Sequence, residues 1–484
     1  MTHELLTTLK VLTGAALLAL AAPAIRAATE APAGTLALST CTLPDLKAQA
    51  RCGVYFLPEN PALADSRKIP IHIAVVPAKG APRRDPIVPL MGGPGEDAIS
   101  NAAYYAERFD ALREHRDILL VDQRGTGQSE ALRCELYSKA HPEISLLDVF
   151  PAAAAARCEA ALSARADLTQ YGYGRFAEDL EKVRLALGYE SLNISAGSYG
   201  TRAAVVFLRA YPKSVRTAYL GSVVPIDIAQ PLPMARTAQS ALEQLFEACA
   251  KDADCHRAYP NLKAEFEEIE RRLNEGVAVT LPNHAGTVPL SAGRVTEWMR
   301  SLLYRPTSAS VIPWYVHQAY GGHWEPIVAA ILSETRKADE ELSMGLLFDI
   351  TCNEDIPFLD EHAVIEETKG TYLGDYRVRE QQAACKAWPR SHLPADYREP
   401  VHSSVPTLFV SGDADGGTPL SFMEHAAAGF SASVAVVARG QGHTEWSDCV
   451  ARLYQRLVED GSALELKGAS CPPVPRPAFR TAHS

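Results

Sequence analysis

Residues Leu192 to Tyr211 hold the feature that most constrains how this chain can fold. A short apolar run, Leu192–Ala196, enters the turn Gly197-Ser198-Tyr199-Gly200, and Thr201–Tyr211 continues as a helix of small and apolar residues. A chain that passes from strand to helix in so few residues needs small side chains on both sides of the turn, because the two elements nearly collide there. Ala196 and Gly200 occupy those positions around Ser198. Val215–Leu220 reads as the next strand. Strand, turn, helix and strand in that order predict a parallel sheet covered by helices.

The flanking sequence extends this pattern. Cys41–Pro58 reads as a β-hairpin closed by a disulfide. Strands are expected at Lys68–Val76, Asp85–Met91 and Asp117–Val121, and helices at Tyr104–His115 and Tyr173–Leu187. Between about Pro225 and Pro400 strand-like runs are few. Ala238–Cys249, Leu262–Asn274, Ser291–Tyr304 and Ser308–Tyr320 read as helices, with a small β element at Leu281–Leu290. Strands resume at Val405–Ser411 and Ser433–Val437, a helix is expected near Asp448–Glu459, and the Pro-rich tail from Pro472 is expected to be poorly ordered.

A serine hydroxyl acts as a nucleophile only with a base, and the base needs a carboxylate to orient it. In folds built on such a turn the partners follow in the order Ser, Asp or Glu, His. Gly412-Asp413-Ala414-Asp415 follows the strand at Val405–Ser411, and Gly440-Gln441-Gly442-His443 follows the strand at Ser433–Val437. His443 is the expected base. Asp415 is the preferred carboxylate and Asp413 the alternative. Acyl transfer also needs N–H donors for the developing oxyanion. The Tyr199 N–H supplies one. The turn Gly92-Gly93-Pro94-Gly95 supplies the other, from Gly93 or else Gly92, since Pro94 has no N–H. Asp122 and Arg124 are expected to hold loops near this face, and Glu96 and Asp97 to add negative potential there.

These segments together resemble the proline iminopeptidase and tripeptidyl aminopeptidase branch of serine peptidases, in the α/β-hydrolase superfamily. The likeness rests on MGGPG at Met91–Gly95, DQRGTGQS at Asp122–Ser129, AGSYG with Thr201-Arg202, GDADGGTP at Gly412–Pro419, and GQGH at Gly440–His443 followed by Cys449-Val450. Met91 stands where that family has a histidine, and Ala196 where it has a glycine. The resemblance implies an α/β-hydrolase core with a mostly parallel sheet and an inserted, mostly helical lid. It implies hydrolysis of short peptides from a free amino terminus, and a lid glutamate to hold the substrate ammonium. Glu354, in Thr351-Cys352-Asn353-Glu354-Asp355, is the candidate. Two other readings stay open: an ester hydrolase using the same triad, and an inactive binding protein on the same scaffold.

Composition bears on where such a chain works. The apolar run Val11–Ala22 behind Lys10, followed by small residues, has the form of a secretory signal peptide with cleavage after Ala24 or Ala28. The 10 cysteines fall into local couples: Cys41 with Cys52, Cys134 with Cys158, Cys249 with Cys255, Cys352 with Cys385, and Cys449 with Cys471. Disulfides suit an oxidising compartment, so a periplasmic or extracellular protein is expected. The expected organisation is a leader at 1–28, a first core part at 29–224, a lid at 225–400 and a second core part at 401–484. A formal net charge of -11 offers no general nucleic-acid footprint. No metal or other cofactor and no stable membrane insertion after leader removal are expected, and a short peptide is the expected partner.

Overall fold

A computed structural model describes residues 36–137, 141–281 and 286–481. The leader expected at 1–28 lies outside them. The strands, in chain order, are β1 (Ser39–Cys41), β2 (Ala50–Pro58), β3 (Lys68–Val76), β4 (Ile87–Leu90), β5 (Ile118–Val121), β6 (Leu192–Gly197), β7 (Val215–Gly221), β8 (Val277–Thr280), β9 (Thr287–Leu290), β10 (Thr407–Gly412) and β11 (Ser433–Ala438). Nine of them form one sheet in the order β1-β2-β3-β5-β4-β6-β7-β10-β11. Pairing is antiparallel from β1 through β3 to β5, then parallel from β5 to β11. Every residue of β4 and β5 is buried, as expected of short apolar strands covered on both faces.

Helices cover the sheet through apolar stripes. Asp448–Asp460 buries Val450, Leu453, Tyr454, Leu457 and Val458, a helical period that turns one face to the sheet. Its start is capped by the Ser447 side chain, which accepts from the Val450 N–H, and it stops at Gly461 in the left-handed conformation. On the other side, Tyr173–Ala186 and Gly200–Ala210 bury Phe176, Leu180, Val183 and Phe207. A fully buried side chain of this size stabilises by about 1.5–3 kcal/mol.

Between β7 and β10 the chain is helical apart from the β8–β9 hairpin. These cap helices have an apolar cluster of their own, with Leu242, Leu245, Phe266, Trp298 and Ile327 inside it. The single helix expected at Ser308–Tyr320 is two, Pro306–Ala309 and Ile312–Tyr320. Pro313 lacks an N–H and fits only a first helical turn, so the chain restarts there. The helix expected at Tyr104–His115 ends at Arg108, and one 3-10 turn, Leu112–Glu114, follows.

Two segments join the cap that the sequence pattern did not assign to it. Residues 142–163 lie between β5 and the Tyr173 helix, yet they bond to cap residues. Arg294 Nε donates to Ser145 O at 3.0 Å, and the Tyr376 hydroxyl donates to Leu147 O at 3.1 Å. The C-terminal tail is also held, contrary to the expectation of poor order. Phe479 is buried, Arg480 N–H bonds Ser310 O and Val474 N–H bonds Arg439 O.

All 10 cysteines pair, as Cys41–Cys52, Cys134–Cys158, Cys249–Cys255, Cys352–Cys385 and Cys449–Cys471. No helix among the described residues is long and apolar enough to cross a membrane.

Candidate active site

Ser198 stands where β6 ends and the helix Gly200–Ala210 begins. Its φ is 54°, a left-handed conformation unusual for a non-glycine residue. The turn is that tight because Gly200 lies against β4: a Cβ there would stand 2.3 Å from Leu90 O and 2.8 Å from Met91 O. The Ser198 N–H is fixed on Gly221 O at 3.1 Å. The nucleophile candidate, at the end of β6, is therefore held by backbone contacts from the ends of two neighbouring strands, β4 and β7.

Asp415 follows β10 and is buried. Its Oδ1 accepts the N–H groups of Gly417 and Thr418 at 2.8 and 2.9 Å, and its Oδ2 accepts the Thr418 hydroxyl at 2.6 Å. Oδ2 also lies 2.9 Å from His443 Nδ1. Burial opposes ionisation of Asp415, but His443, Thr418 and its N–H outweigh burial and hold the carboxyl below its ordinary value. Asp413 is turned elsewhere: its Oδ1 accepts the Gly440 N–H at 2.6 Å. Of the two aspartates, only Asp415 meets His443.

The cap holds His443 in place. The His443 N–H donates to Tyr304 O at 2.7 Å, Arg305 Nε donates to His443 O at 3.1 Å, and the Tyr304 ring stacks on the imidazole with centroids 4.8 Å apart. None of these three contacts was legible in the sequence. Thr418, which bonds both Asp415 and the region of Nδ1, was equally unsignalled, although it belongs to the same GDADGGTP stretch.

Ser198 and His443 open on one cavity of about 520 Å³, roofed by cap residues that include Tyr304, Leu342, Leu347 and Thr351. That size lies in the range of sites that enclose a small ligand. No hydrogen bond joins Ser198 to His443 among the described residues, and unliganded catalytic pairs are often looser than reacting ones. Gly92 and Gly93 line the same cavity with Tyr199. A Cβ on Gly92 would stand 3.3 Å from Ser198 Cβ, so only glycine lets this loop approach the nucleophile so closely. Among the described residues neither the Gly93 nor the Tyr199 N–H has an acceptor, whereas the Gly92 N–H faces the Glu96 carboxyl. Gly93 and Tyr199 thus keep N–H groups without an acceptor among the described residues on the lining of this cavity.

Glu354 does not reach this cavity. It is buried at the end of the cap helix Met344–Glu354, where Oε1 accepts the Tyr173 N–H at 3.0 Å. Burial pushes its carboxyl up to about 7, against the pull of Tyr397, the Tyr173 N–H and Arg202. The expectation that Glu354 meets the substrate ammonium is corrected on that geometry. The carboxylate that does line the cavity is Glu96, directly after the MGGPG turn. Burial raises its pKa, and no cation lies within ion-pair distance of it among the described residues. Asp122 and Arg124 are structural and do not pair with each other. Asp122 accepts from Ala98, Ile99 and Gln128 N–H, and Arg124 forks onto Asp179 at 2.6 and 2.9 Å. Among the described residues no cluster of His, Cys, Asp or Glu could hold a metal ion.

A family model described as alpha/beta hydrolase fold matches residues 85–253, the stretch that carries β4 to β7 and Ser198. The chain has the α/β-hydrolase fold. A second model, described as TAP-like protein, matches residues 370–471 and so includes Asp415 and His443. Among curated proteins this hydrolase is 22% identical over 356 residues to the "Putative hydrolase YuaR" of Escherichia coli (strain K12), covering 69% of this chain and 68% of that one. Solved structures similar to it include a proline iminopeptidase of Mycobacterium smegmatis, at 16% identity, 84% and 98% coverage and a TM-score of 0.37. An esterase of Exiguobacterium antarcticum stands beside it, at 14% identity, 84% and 98% coverage and a TM-score of 0.38.

Proposed function

We propose that this hydrolase is an exported serine exopeptidase that releases residues from the free amino terminus of short peptides. The observation that carries the reading is Glu96, a partly desolvated carboxylate on the wall of the Ser198 cavity that makes no ion pair among the described residues, His443 and Arg305 acting on it only from beyond ion-pair distance. A carboxylate withdrawn from water is stabilised by a charge partner. The terminal ammonium of a peptide bound across Ser198 supplies one, and an acetylated terminus does not.

In this mechanism His443 takes the Ser198 proton as the hydroxyl attacks the scissile carbonyl. Asp415 keeps Nδ1 of His443 protonated and stabilises the imidazolium, while the Gly93 and Tyr199 N–H groups receive the oxyanion. His443 then gives its proton to the leaving amine. Water, activated by the same base, resolves the acyl-enzyme. The five disulfides support work in an oxidising compartment.

The test compares aminoacyl and tripeptidyl anilides with their N-acetylated forms and with short acyl esters, in wild type, Ser198→Ala and Glu96→Gln. Ser198→Ala is expected to lose at least about 10⁴-fold in turnover. Glu96→Gln is expected to raise KM at least tenfold for free-amine substrates and to leave the acetylated ones nearly unchanged. Ester cleavage without useful peptide cleavage would keep the nucleophile and replace the exopeptidase with a carboxylic-ester hydrolase.

A further inference from the structure

Four arginines line the cavity over Ser198, against the single carboxylate of Glu96. Two of the four use their donors on neutral groups. Arg305 bonds His443 O and Thr444 Oγ1; Arg108 donates from Nη1 to the Tyr104 hydroxyl and stacks its guanidinium 3.6 Å over Trp446, its buried Nε having no hydrogen-bond partner among the described residues. The other two, Arg300 and Arg377, are drawn into the cap and share one partner. Arg300 donates from Nε and Nη2 to the two oxygens of Glu297 at 2.9 and 2.7 Å, and from Nη1 to the Tyr304 hydroxyl at 2.7 Å. Arg377 Nη1 donates to the same Glu297 Oε1 at 2.7 Å.

Within this pair around Glu297 the arrangement leaves a cation over. Glu297 is buried, and although burial works against its charge, Arg300 and Arg377 hold its carboxyl below the ordinary value, so it counts as one negative charge. Two guanidiniums face it. Arg300 places donors on three acceptors, whereas Arg377 places only Nη1: its side chain is 15% exposed and its Nε is buried without a hydrogen-bond partner among the described residues, which leaves Nη2 as the donor free to meet a ligand. The neighbouring acids are engaged elsewhere. Glu334 accepts the Ser301 hydroxyl, and Glu380 accepts the Phe150 N–H. The Phe150 ring, 4.5 Å from the Arg377 guanidinium, shields that side from water. A guanidinium withdrawn from water with donors to spare is most strongly stabilised by a carboxylate, which its planar fork can grip at two points.

We propose that Arg377, backed by Arg300, is a carboxylate-reading subsite, so that the preferred substrates are short peptides carrying a carboxylate as well as a free ammonium. The peptide part rests on the exopeptidase reading above; the carboxylate part rests on the arginines alone. The carboxylate comes from the C-terminus of a short peptide or from an acidic side chain, and a cavity of about 520 Å³ favours chains short enough to bring either group to Arg377.

Binding to the Ser198→Ala protein, followed by calorimetry, tests this without relying on turnover. The probes are trialanine, trialanine amide, N-acetyl-trialanine and Ala-Ala-Glu amide. Trialanine is expected to bind at least tenfold more tightly than its amide. Ala-Ala-Glu amide recovers that loss if a side-chain carboxylate serves, and not if the terminal one is read. In Ser198→Ala/Arg377→Gln the acid-over-amide preference is expected to shrink to within about twofold, and Arg377→Lys to retain part of it. A thermal melt of each variant checks that the cap is still folded. Equal binding of trialanine and its amide overturns the subsite, as does a preference that survives intact in a folded Arg377→Gln protein. N-acetyl-trialanine binding as tightly as trialanine overturns the amine reading and leaves the acid–amide comparison standing. No binding of any probe at millimolar concentration counts against both.

Discussion

Asp413 and Asp415 are two residues apart at the end of β10, and the loop geometry divides their work. Asp415 collects two N–H groups, the Thr418 hydroxyl and His443 Nδ1, while Asp413 ties the loop to the Gly440 N–H. An amide in place of the triad carboxylate stabilises the wrong imidazole tautomer, an effect worth about 10⁴-fold in a comparable serine hydrolase. Asp415→Asn is therefore expected to lower kcat by about 10³- to 10⁴-fold with little change in KM. Asp413→Asn, which removes a loop bond from a partly exposed group, is expected to stay within about fivefold of wild type. Steady-state kinetics on one substrate decide it, and a larger loss for Asp413→Asn would reverse the assignment. The choice was open in the sequence because both residues follow the same strand. Only the turn made by Gly416 to Thr418 selects between them.

Among the elements, the strand–turn–helix at Leu192–Ala210 was legible because its physics is local. Apolar alternatives are few, the small residues sit at fixed offsets, and the clash that demands them comes from one neighbour, β4. That clash can be measured. Gly200→Ala would place a methyl 2.3 Å from Leu90 O, and backbone cannot yield as a side chain can. The helix must then move away from β4, carrying Ser198 from Gly93. A loss of about 1–3 kcal/mol in urea unfolding is expected, the range found for overpacked interiors, together with a kcat reduced at least tenfold in the protein that remains folded. Wild-type values for both would mean that the close approach is not needed. The cap was less legible for the opposite reason: its contacts join residues far apart in the chain. The Ala-rich helix Ala152–Ser163 carries little periodic signal, and what fixes its segment are bonds to Arg294 and Tyr376. Likewise, Leu347 and Thr351 line the cavity, whereas Glu354, one turn further along the same helix, meets Tyr173. Residue type alone could not separate Glu354 from Glu96.

Across the whole molecule, each of the five disulfides closes a local loop, the widest spanning 33 residues. None of them links the cap helices to the sheet, so that attachment is non-covalent and includes several buried ionisable groups. At its centre Asp355 binds Arg202 at 2.7 Å, accepts the Gln230 N–H at 2.8 Å and meets the Tyr199 hydroxyl, joining the nucleophile's helix to the cap. Glu354 lies beside this group with its carboxyl raised to about 7 by burial. The sign follows from proton linkage. A carboxyl that binds its proton more tightly in the folded state than in the unfolded chain, where it titrates near 4.5, makes its full contribution below that pH. The contribution is lost as the pH rises through about 7. For a fully buried group the loss is at most about 3 kcal/mol. The wild-type protein is therefore expected to lose stability between pH 5 and pH 8, a trend that burial of Asp349 and Asp122 reinforces, since both carboxyls are raised as well. Glu354→Gln, which cannot ionise, is expected to flatten this dependence and to be more stable than wild type at pH 8, while gaining nothing at pH 5. Urea midpoints at the two pH values measure it. Parallel pH profiles for wild type and Glu354→Gln would show that Glu354 shares its charge too well with Arg202 and Tyr397 to govern the cap's attachment.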